Sequence, residues 1–138
     1  MSIENSGDGC TCGNIGCLER LASGTAIAKN VSLALGKDIS TKDAFIESKK
    51  GNKKAQAVID KALIALGRGV VNICNIFDPD AIILGGGVTQ NGDVVLKKVA
   101  QYVKEHSLPV MADHVVVKQA SLGSKAGVFG AALLAMKK

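Results

Sequence analysis

The chain has 138 residues, of which 47% are hydrophobic, and carries a formal net charge of +5. This length fits one domain with a modest core. Aromatic residues make up 3% and Trp is absent, which argues against a protein that stacks the bases of single-stranded nucleic acid. The lysines that supply the excess charge are typical of a solvated helix face rather than of a nucleic-acid surface. They are Lys49, Lys50, Lys53, Lys54, Lys137 and Lys138.

The first residues have neither the basic start nor the apolar centre of a secretory signal. Apolar runs stay well below the ~20 residues that cross a bilayer. We therefore expect a cytoplasmic protein without a membrane partner. In that compartment its four cysteines are expected to be thiols or metal ligands rather than disulfides.

The first part of the chain predicts a loop followed by two helices. Residues 1–16 are rich in Gly, Asn, Asp and Ser, which is typical of irregular structure. Ser23 is predicted to cap a helix of about 12 residues that ends at Gly36. Thr41 is predicted to cap a shorter helix that continues to about Lys49.

The longest predicted helix begins at Asn52 and stops at Asp78, because the proline that follows disfavours helical geometry before it. Apolar or small residues recur along it with 4-3-4-3 spacing, which predicts one buried face. These residues are Ala55, Ile59, Ala62, Leu66, Gly69, Ile73 and Ile76.

The last part of the chain predicts two strands and two helices. Residues 81–84 form a short apolar run of the kind found in a strand covered on both faces. A helix is predicted from Asp93 to about residue 105, and a second strand at 115–117. Ser124 is predicted to cap a last helix over 125–136. The pattern indicates a helix-rich α/β protein whose two strands need further cover.

Three cysteines, Cys10, Cys12 and Cys17, fall within eight residues. Gly13 and Gly16 allow the chain to curl so that the three thiols meet. Cys10 and Cys12 are too close in sequence for comfortable disulfide geometry. Zinc accepts three thiolates and a fourth ligand in a tetrahedral site, so we predict a zinc-binding loop; buried or redox-active cysteines are the alternative.

No nearby residue is an obvious fourth ligand. His106 and His114 lie about ninety residues away in sequence, and Glu4 and Asp8 are the acidic residues upstream of the cysteines. Cys74 lies on the longest predicted helix, where a small buried side chain is expected.

The pattern C-x-C-G-x-x-G-C-x-E from Cys10 to Glu19 resembles the ROK family (repressors, open reading frames and sugar kinases). The resemblance continues in order through ASGTA at 22–26, DPDAIILGGGV at 78–88 and LGSKAGVFGAA at 122–132. It implies the C-terminal part of an actin-like, ribonuclease H-like ATPase lobe. Residues 1–22 would be the zinc-binding loop and the start of a helix. Residues 23–138 would be the rest of one incomplete domain.

The family resemblance implies an ATP-dependent sugar kinase, with glucose as the expected sugar, Mg²⁺ and ATP in the full-length enzyme, and a homodimer. The fourth zinc ligand of the family is a histidine about ten residues before the first cysteine, a place at or just before Met1. The first phosphate-binding loop and the catalytic aspartate would also lie upstream. We therefore assign no catalytic residue and expect this chain alone to be inactive.

Two sets of residues are candidates for substrate contacts. By position, Glu19 is an ordinary acidic residue in a first helical turn, but the resemblance implies that it accepts hydrogen bonds from sugar hydroxyls. Gly85, Gly86 and Gly87 follow a predicted strand, and by themselves they indicate a tight turn. Their sequence is neither a Walker loop nor G-x-G-x-x-G, and the resemblance implies that they line the ATP site.

Two other interpretations stay open. A sugar-responsive repressor of the same family would need a helix-turn-helix segment, which this sequence lacks. A zinc-containing interaction module is compatible with the positive charge, but the second pair of ligands is missing and the long amphipathic helices argue against it.

Overall fold

The computed structural model describes residues 1–137, apart from the side chain of Ser124. Seven α-helices and two β-strands make up this part of the chain, together with 3₁₀ turns at Thr89–Asn91 and Gly123–Lys125. In chain order they are α1 (Leu18–Ala22), α2 (Gly24–Leu35), α3 (Thr41–Lys49), α4 (Lys53–Phe77), β1 (Ala81–Leu84), α5 (Asp93–His106), α6 (Pro109–Ala112), β2 (Val116–Gln119) and α7 (Ala126–Met136).

The helix caps follow the sequence prediction with one correction. The Ser23 hydroxyl accepts a hydrogen bond from the Ala26 amide at 3.1 Å, and Gly36 ends α2 with a φ of 67°. Helix α3 is capped by Ser40 instead of Thr41, because Ser40 accepts from the Asp43 amide. Thr41 is the first helical residue, and its hydroxyl donates to the Gly24 carbonyl at 2.7 Å.

Helix α4 begins after Asn52 and ends at Asp78, as predicted. The first half of its predicted face is buried, but Ile76 is 71% exposed, so the prediction is wrong at the last turn. A straight helix drifts by about 20° per heptad from a 3.5-residue repeat, and over three heptads this carries the 4-3-4-3 pattern away from the core. The buried residues of the second half are Gly67, Gly69, Val70, Val71 and Cys74.

The core consists of two clusters along α4. One joins α4 to α2 and α3 and includes Ile27, Phe45 and Leu63. The other joins its second half to α5 and the sheet through Val70, Cys74 and further side chains. Cys74 is therefore a core residue, as the sequence predicts.

The two strands pair in parallel, with Ala81 opposite Val116 and Leu84 opposite Gln119. The second strand thus begins one residue later than predicted. Helix α5 covers one face of this sheet. Ile83 is 58% exposed and Val116 is 47% exposed, so the prediction that β1 is covered on both faces is wrong for the described residues. Alternate side chains of a strand point to opposite faces, and only one face meets α5.

Helix α7 begins at Ala126, close to the predicted start, after a 3₁₀ turn. The predicted cap by the Ser124 side chain lies outside the described part of the structure. None of the described residues of α7 is buried. Helix α6, which begins at Pro109, was not predicted because four residues carry too little periodicity.

Across residues 1–137, every helix is too short or too polar to cross a membrane.

The close packing of α4 on α5 depends on Gly67. A Cβ atom at Gly67 would lie 2.7 Å from the Tyr102 ring. We expect Gly67→Ala to lower the free energy of unfolding by about 1–3 kcal/mol, because the ring must shift. Gly127→Ala is the matched control, since its Cβ would meet nothing within 4 Å. Urea unfolding monitored by circular dichroism measures both, and equal midpoints for the two variants would contradict the close packing of Gly67 on Tyr102.

Candidate functional site

The segment before α1 is a cysteine loop held between two short antiparallel stretches. The Ile3 and Glu4 amides both donate to the Gly16 carbonyl, at 2.8 and 3.2 Å, and the Leu18 amide donates to the Met1 carbonyl at 3.0 Å. Gly16 has a φ of 63°. A Cβ atom there would lie 1.8 Å from the Glu4 carbonyl oxygen, so the exit of the loop requires glycine.

The three cysteine sulfurs converge as the sequence predicts. The Sγ atoms of Cys10, Cys12 and Cys17 all lie within 4.8 Å of one another, and Cys12 and Cys17 are 3.5 Å apart. The curl is closed by the Cys10 amide, which donates to the Asn14 carbonyl at 2.8 Å. Zn–S bonds of ~2.3 Å in a tetrahedron place sulfurs about 3.8 Å apart, so the cluster fits three ligands of a zinc site.

The thiols differ in their ease of ionisation. The Asn14 backbone amide, followed by the thiols of Cys17 and Cys10, donates toward Cys12 and lowers the pKa of its thiol to about 7. The hydrogen bond with Cys12, together with burial, raises the pKa of Cys17. Cys12 therefore ionises more readily than Cys17. A thiolate near neutral pH is the form that binds a metal ion.

Within the described residues, no His, Asp, Glu or further Cys completes the cluster. The Asp8 carboxylate accepts from Lys29 at 2.7 Å, and Glu4 pairs with Arg68 at 3.3 Å. His114 contacts Asp78 at 2.9 Å, and the His106 ring stacks on Tyr102. The carboxylates of Asp8 and Glu4 thus pair with α2 and α4 and tie the loop to these helices, instead of joining the sulfur cluster.

Glu19 lies in the first turn of α1, two residues after Cys17, and is exposed. Its carboxylate makes no hydrogen bond or ion pair with another described residue, whereas the other carboxylates of the loop region, Asp8 and Glu4, are paired. Glu19 therefore presents an acceptor that can hold two hydroxyl groups.

The glycine turn faces Glu19 across a cleft. Gly85, Gly86 and Gly87 leave the carboxyl end of β1, and Gly86 has a φ of 95°. The cleft has a volume of about 440 Å³, and Glu19 and all three glycines line it. Its other lining residues are Met1, Leu18, Ala22, Ser23, Gly24, Leu66, Leu84, Val88 and Thr89. The structure thus brings together two sets of residues that the sequence suggested separately.

The cleft lies where open α/β sheets commonly bind ligands, outside the carboxyl ends of parallel strands. A Cβ atom at Gly86 or Gly87 would meet no other atom within 4 Å, so the turn leaves open space in front of its backbone. Thr89 borders the same cleft and is 4% exposed, and its hydroxyl donates to the Gly86 carbonyl at 2.8 Å.

A second cavity of about 400 Å³ adjoins the first through Gly24 and Gly87. Its polar walls come from Thr41 and Lys42 at the start of α3 and from Gln90 and Asn91 in the 3₁₀ turn. The sequence patterns did not single out these four residues as a site. Their meeting depends on how α3 packs beside the 3₁₀ turn, where the Lys49 amine donates to the Asn91 carbonyl, and no local pattern encodes that packing.

A helix-rich unit with two parallel strands, a cysteine loop and a glycine turn matches the sugar kinases of the actin-like ATPase fold. The crystal structure of a ROK hexokinase from Thermus thermophilus superposes with a TM-score of 0.83 at 28% identity, covering 96% of this chain and 44% of that one. A ROK family glucokinase from Streptomyces griseus, in complex with glucose and AMPPNP, gives 0.79 at 28% identity, with 97% and 49% covered.

The chain belongs to the ROK family, whose profile matches residues 1–138. It is 36% identical to a glucokinase from Halalkalibacterium halodurans over 142 residues, which covers 93% of this chain and 43% of the relative. The family also includes the DNA-binding transcriptional repressor Mlc of Escherichia coli, 26% identical over 96% of this chain and 35% of that protein. The chain therefore spans less than half the length of these relatives.

We expect protein purified without chelator to carry one zinc ion per chain on the three clustered cysteines. Cys12→Ser should lower the zinc content strongly, because it removes one of the three sulfurs that converge on the site. Cys74→Ser is the matched control, since Cys74 is buried in the core away from the loop. Inductively coupled plasma mass spectrometry gives the stoichiometry. Wild-type protein without zinc, or equal loss in the two variants, would contradict the assignment.

Proposed function

We propose that this chain is part of an ATP-dependent sugar kinase that transfers the γ-phosphoryl group of ATP to a hexose hydroxyl, with glucose as the sugar. The observation that carries the proposal is the shared cleft, which has an unpartnered carboxylate on one wall and an open glycine turn on the other. The glucokinase relatives and the complex with glucose and AMPPNP support the same assignment.

In this proposal the two walls of the cleft hold the two substrates. Glu19 accepts hydrogen bonds from sugar hydroxyls and fixes the orientation of the ring. Gly85, Gly86 and Gly87 allow the nucleotide to approach the backbone closely. Catalysis of phosphoryl transfer consists mainly of such positioning, and Mg²⁺ neutralises the charge that develops on the phosphate oxygens. Such a kinase would act in the cytoplasm, where ATP and sugars meet.

We assign the zinc ion a structural function. Cys10, Cys12 and Cys17 would hold it within a loop-and-helix unit at 1–22, packed on the remainder at 23–138. Because Cys17 directly precedes α1, a fixed loop also fixes the backbone that carries Glu19. The three cysteines are not among the residues that line the cleft, so an ion bound to them would order the Glu19 wall without contacting the phosphoryl group.

A sugar-responsive repressor is the second candidate, favoured by the similarity to Mlc. A repressor would use the same Glu19 wall to sense sugar without transferring a phosphoryl group. The two candidates differ at the glycine turn, since only the kinase needs ATP there. Calorimetric titration with Mg²⁺ and ATP therefore separates them.

Glu19→Gln tests the sugar-binding wall. We expect this substitution to weaken glucose binding roughly 10- to 100-fold, because a hydrogen bond to a charged group contributes about 1.5–3 kcal/mol. Glu105→Gln is the matched control, on α5 and away from the cleft. Isothermal titration calorimetry with glucose and N-acetylglucosamine measures both. Unchanged affinity in Glu19→Gln, or no binding of either sugar by the wild type, would overturn the assignment.

We also propose that the protein forms a homodimer, supported by the exposed apolar surface of α7. Leu134 is 75% exposed there, and Val128, Phe129, Leu133 and Met136 are exposed beside it. Leu134→Lys should shift the association equilibrium toward monomer. Leu33→Lys, at a residue 72% exposed on α2, should leave it unchanged. Light scattering over a dilution series distinguishes them, and a monomeric wild type at every concentration would contradict the proposal.

A further inference from the structure

The geometry points to Thr89 and Asn91 as positioning residues that hold the glycine turn in the one orientation able to receive the phosphates of a nucleotide. This inference rests on the proposed function and adds to it the residues that set the shape of the nucleotide wall. Thr89 and Asn91 lie at the two ends of the 3₁₀ turn that follows Gly85, Gly86, Gly87 and Val88.

Glycine residues alone do not select this orientation. A peptide unit between glycines can rotate at small cost, so either its carbonyl or its N–H group could face the cleft. A carbonyl oxygen facing the cleft would repel a phosphate, whereas an N–H group would bind it. A glycine turn therefore needs an external constraint before it favours an anion.

Side-chain donors of the 3₁₀ turn supply that constraint. The Thr89 hydroxyl donates to the Gly86 carbonyl at 2.8 Å. The Asn91 amide donates to the Gly87 carbonyl at 2.9 Å and to the Val88 carbonyl at 3.0 Å. Three successive carbonyl groups are thus directed toward the 3₁₀ turn.

The directions of the N–H groups follow from these bonds. No peptide bond in the described chain is cis, and in a trans peptide the carbonyl and the N–H point to opposite sides. The N–H groups of Gly87 and Val88 therefore point away from Thr89 and Asn91. Among the described residues they have no acceptor, although both residues line the cleft that Glu19 shares. Adjacent backbone N–H groups without acceptors form an anion-binding concavity.

The second strand holds this arrangement in place. Gln119, the last residue of β2, donates its side-chain amide to the Thr89 carbonyl at 3.2 Å. Thr89 is itself 4% exposed, so its hydroxyl has little access to water as an alternative partner. The turn after β1 is thereby fixed relative to both strands, so less conformational entropy is lost when a nucleotide binds.

Thr89→Val tests the inference because valine has the shape of threonine and lacks the hydroxyl. We expect it to weaken Mg²⁺–ATP binding by about tenfold, the size of one lost hydrogen bond of roughly 1.4 kcal/mol. Adenosine, which carries no phosphate, should bind the variant and the wild type equally. Thr89→Ser keeps the hydroxyl and should bind Mg²⁺–ATP as tightly as the wild type does. Asn91→Ala should bind Mg²⁺–ATP about as weakly as Thr89→Val. Thr25→Val, at an exposed threonine on α2, is the matched control.

Two measurements on the full chain decide the outcome: calorimetric titration with Mg²⁺–ATP and adenosine, and ¹⁵N order parameters of Gly86, Gly87 and Val88 without ligand. We expect order parameters of about 0.85 in the wild type and a clear drop in Thr89→Val. Unchanged order parameters, or equal losses of ATP and adenosine affinity, would overturn the inference. If the wild type binds no ATP but the order parameters still drop in Thr89→Val, the proposed kinase function is refuted. The inference that Thr89 holds the glycine turn would then remain.

Discussion

Burial of helix α4 on two sides is the constraint on which the rest of the structure depends. Its first half packs against α2 and α3, and its second half packs against α5 and the sheet. Leu66, midway along, reaches the cleft between the two clusters. Gly69 lets α1 approach closely, because a Cβ atom there would lie 2.9 Å from the Leu18 side chain. One helix thus fixes the separation of the Glu19 wall from the glycine turn.

The cysteine loop and the cleft are coupled through covalent continuity. The loop ends at Cys17, and α1 begins at the next residue, so there is no flexible linker between the sulfur cluster and Glu19. Contacts of Asp8 with Lys29 and of Glu4 with Arg68 tie the same loop to α2 and α4. These ion pairs are exposed and contribute little stability one by one. Their main effect is on orientation, since they hold the carboxylates of Asp8 and Glu4 away from the cysteine sulfurs.

Much of the fold could be predicted because the signals are local. Ser23, Gly36, Asn52 and Asp78 mark helix ends through their own backbone and side-chain bonds, and the close spacing of the three loop cysteines is enough to indicate a sulfur cluster. The prediction failed where a neighbouring element decides the outcome. Ile76 leaves the core through the drift of a long helix, and Ile83 is exposed because α5 covers only one face of the sheet.

In the candidate site, too, local signals could be predicted from the sequence, whereas features that depend on a neighbouring element could not. Glu19 and the three glycines are candidates through family resemblance, and no sequence pattern shows that they share a cleft. Thr89 could not be singled out, because neither its burial nor its hydrogen bond with Gln119, thirty positions away, follows from a local pattern. Lys42 and Gln90 line one cavity only after α3 packs beside the 3₁₀ turn. Sequence reasoning therefore suggests candidate residues one by one better than it suggests which of them lie together.

The parallel pairing of β1 with β2 has a consequence for the order of folding. Helices α2, α3 and α4 make contacts between sequence neighbours, whereas Ala81 can pair with Val116 only after the whole of α5 and α6 has folded back across the sheet. Contacts that close long segments form slowly, because the entropy of closure is lost before the contacts compensate. The helical part is therefore expected to assemble early and the strand edge late. A nascent chain would acquire its glycine turn after most of its core was already in place.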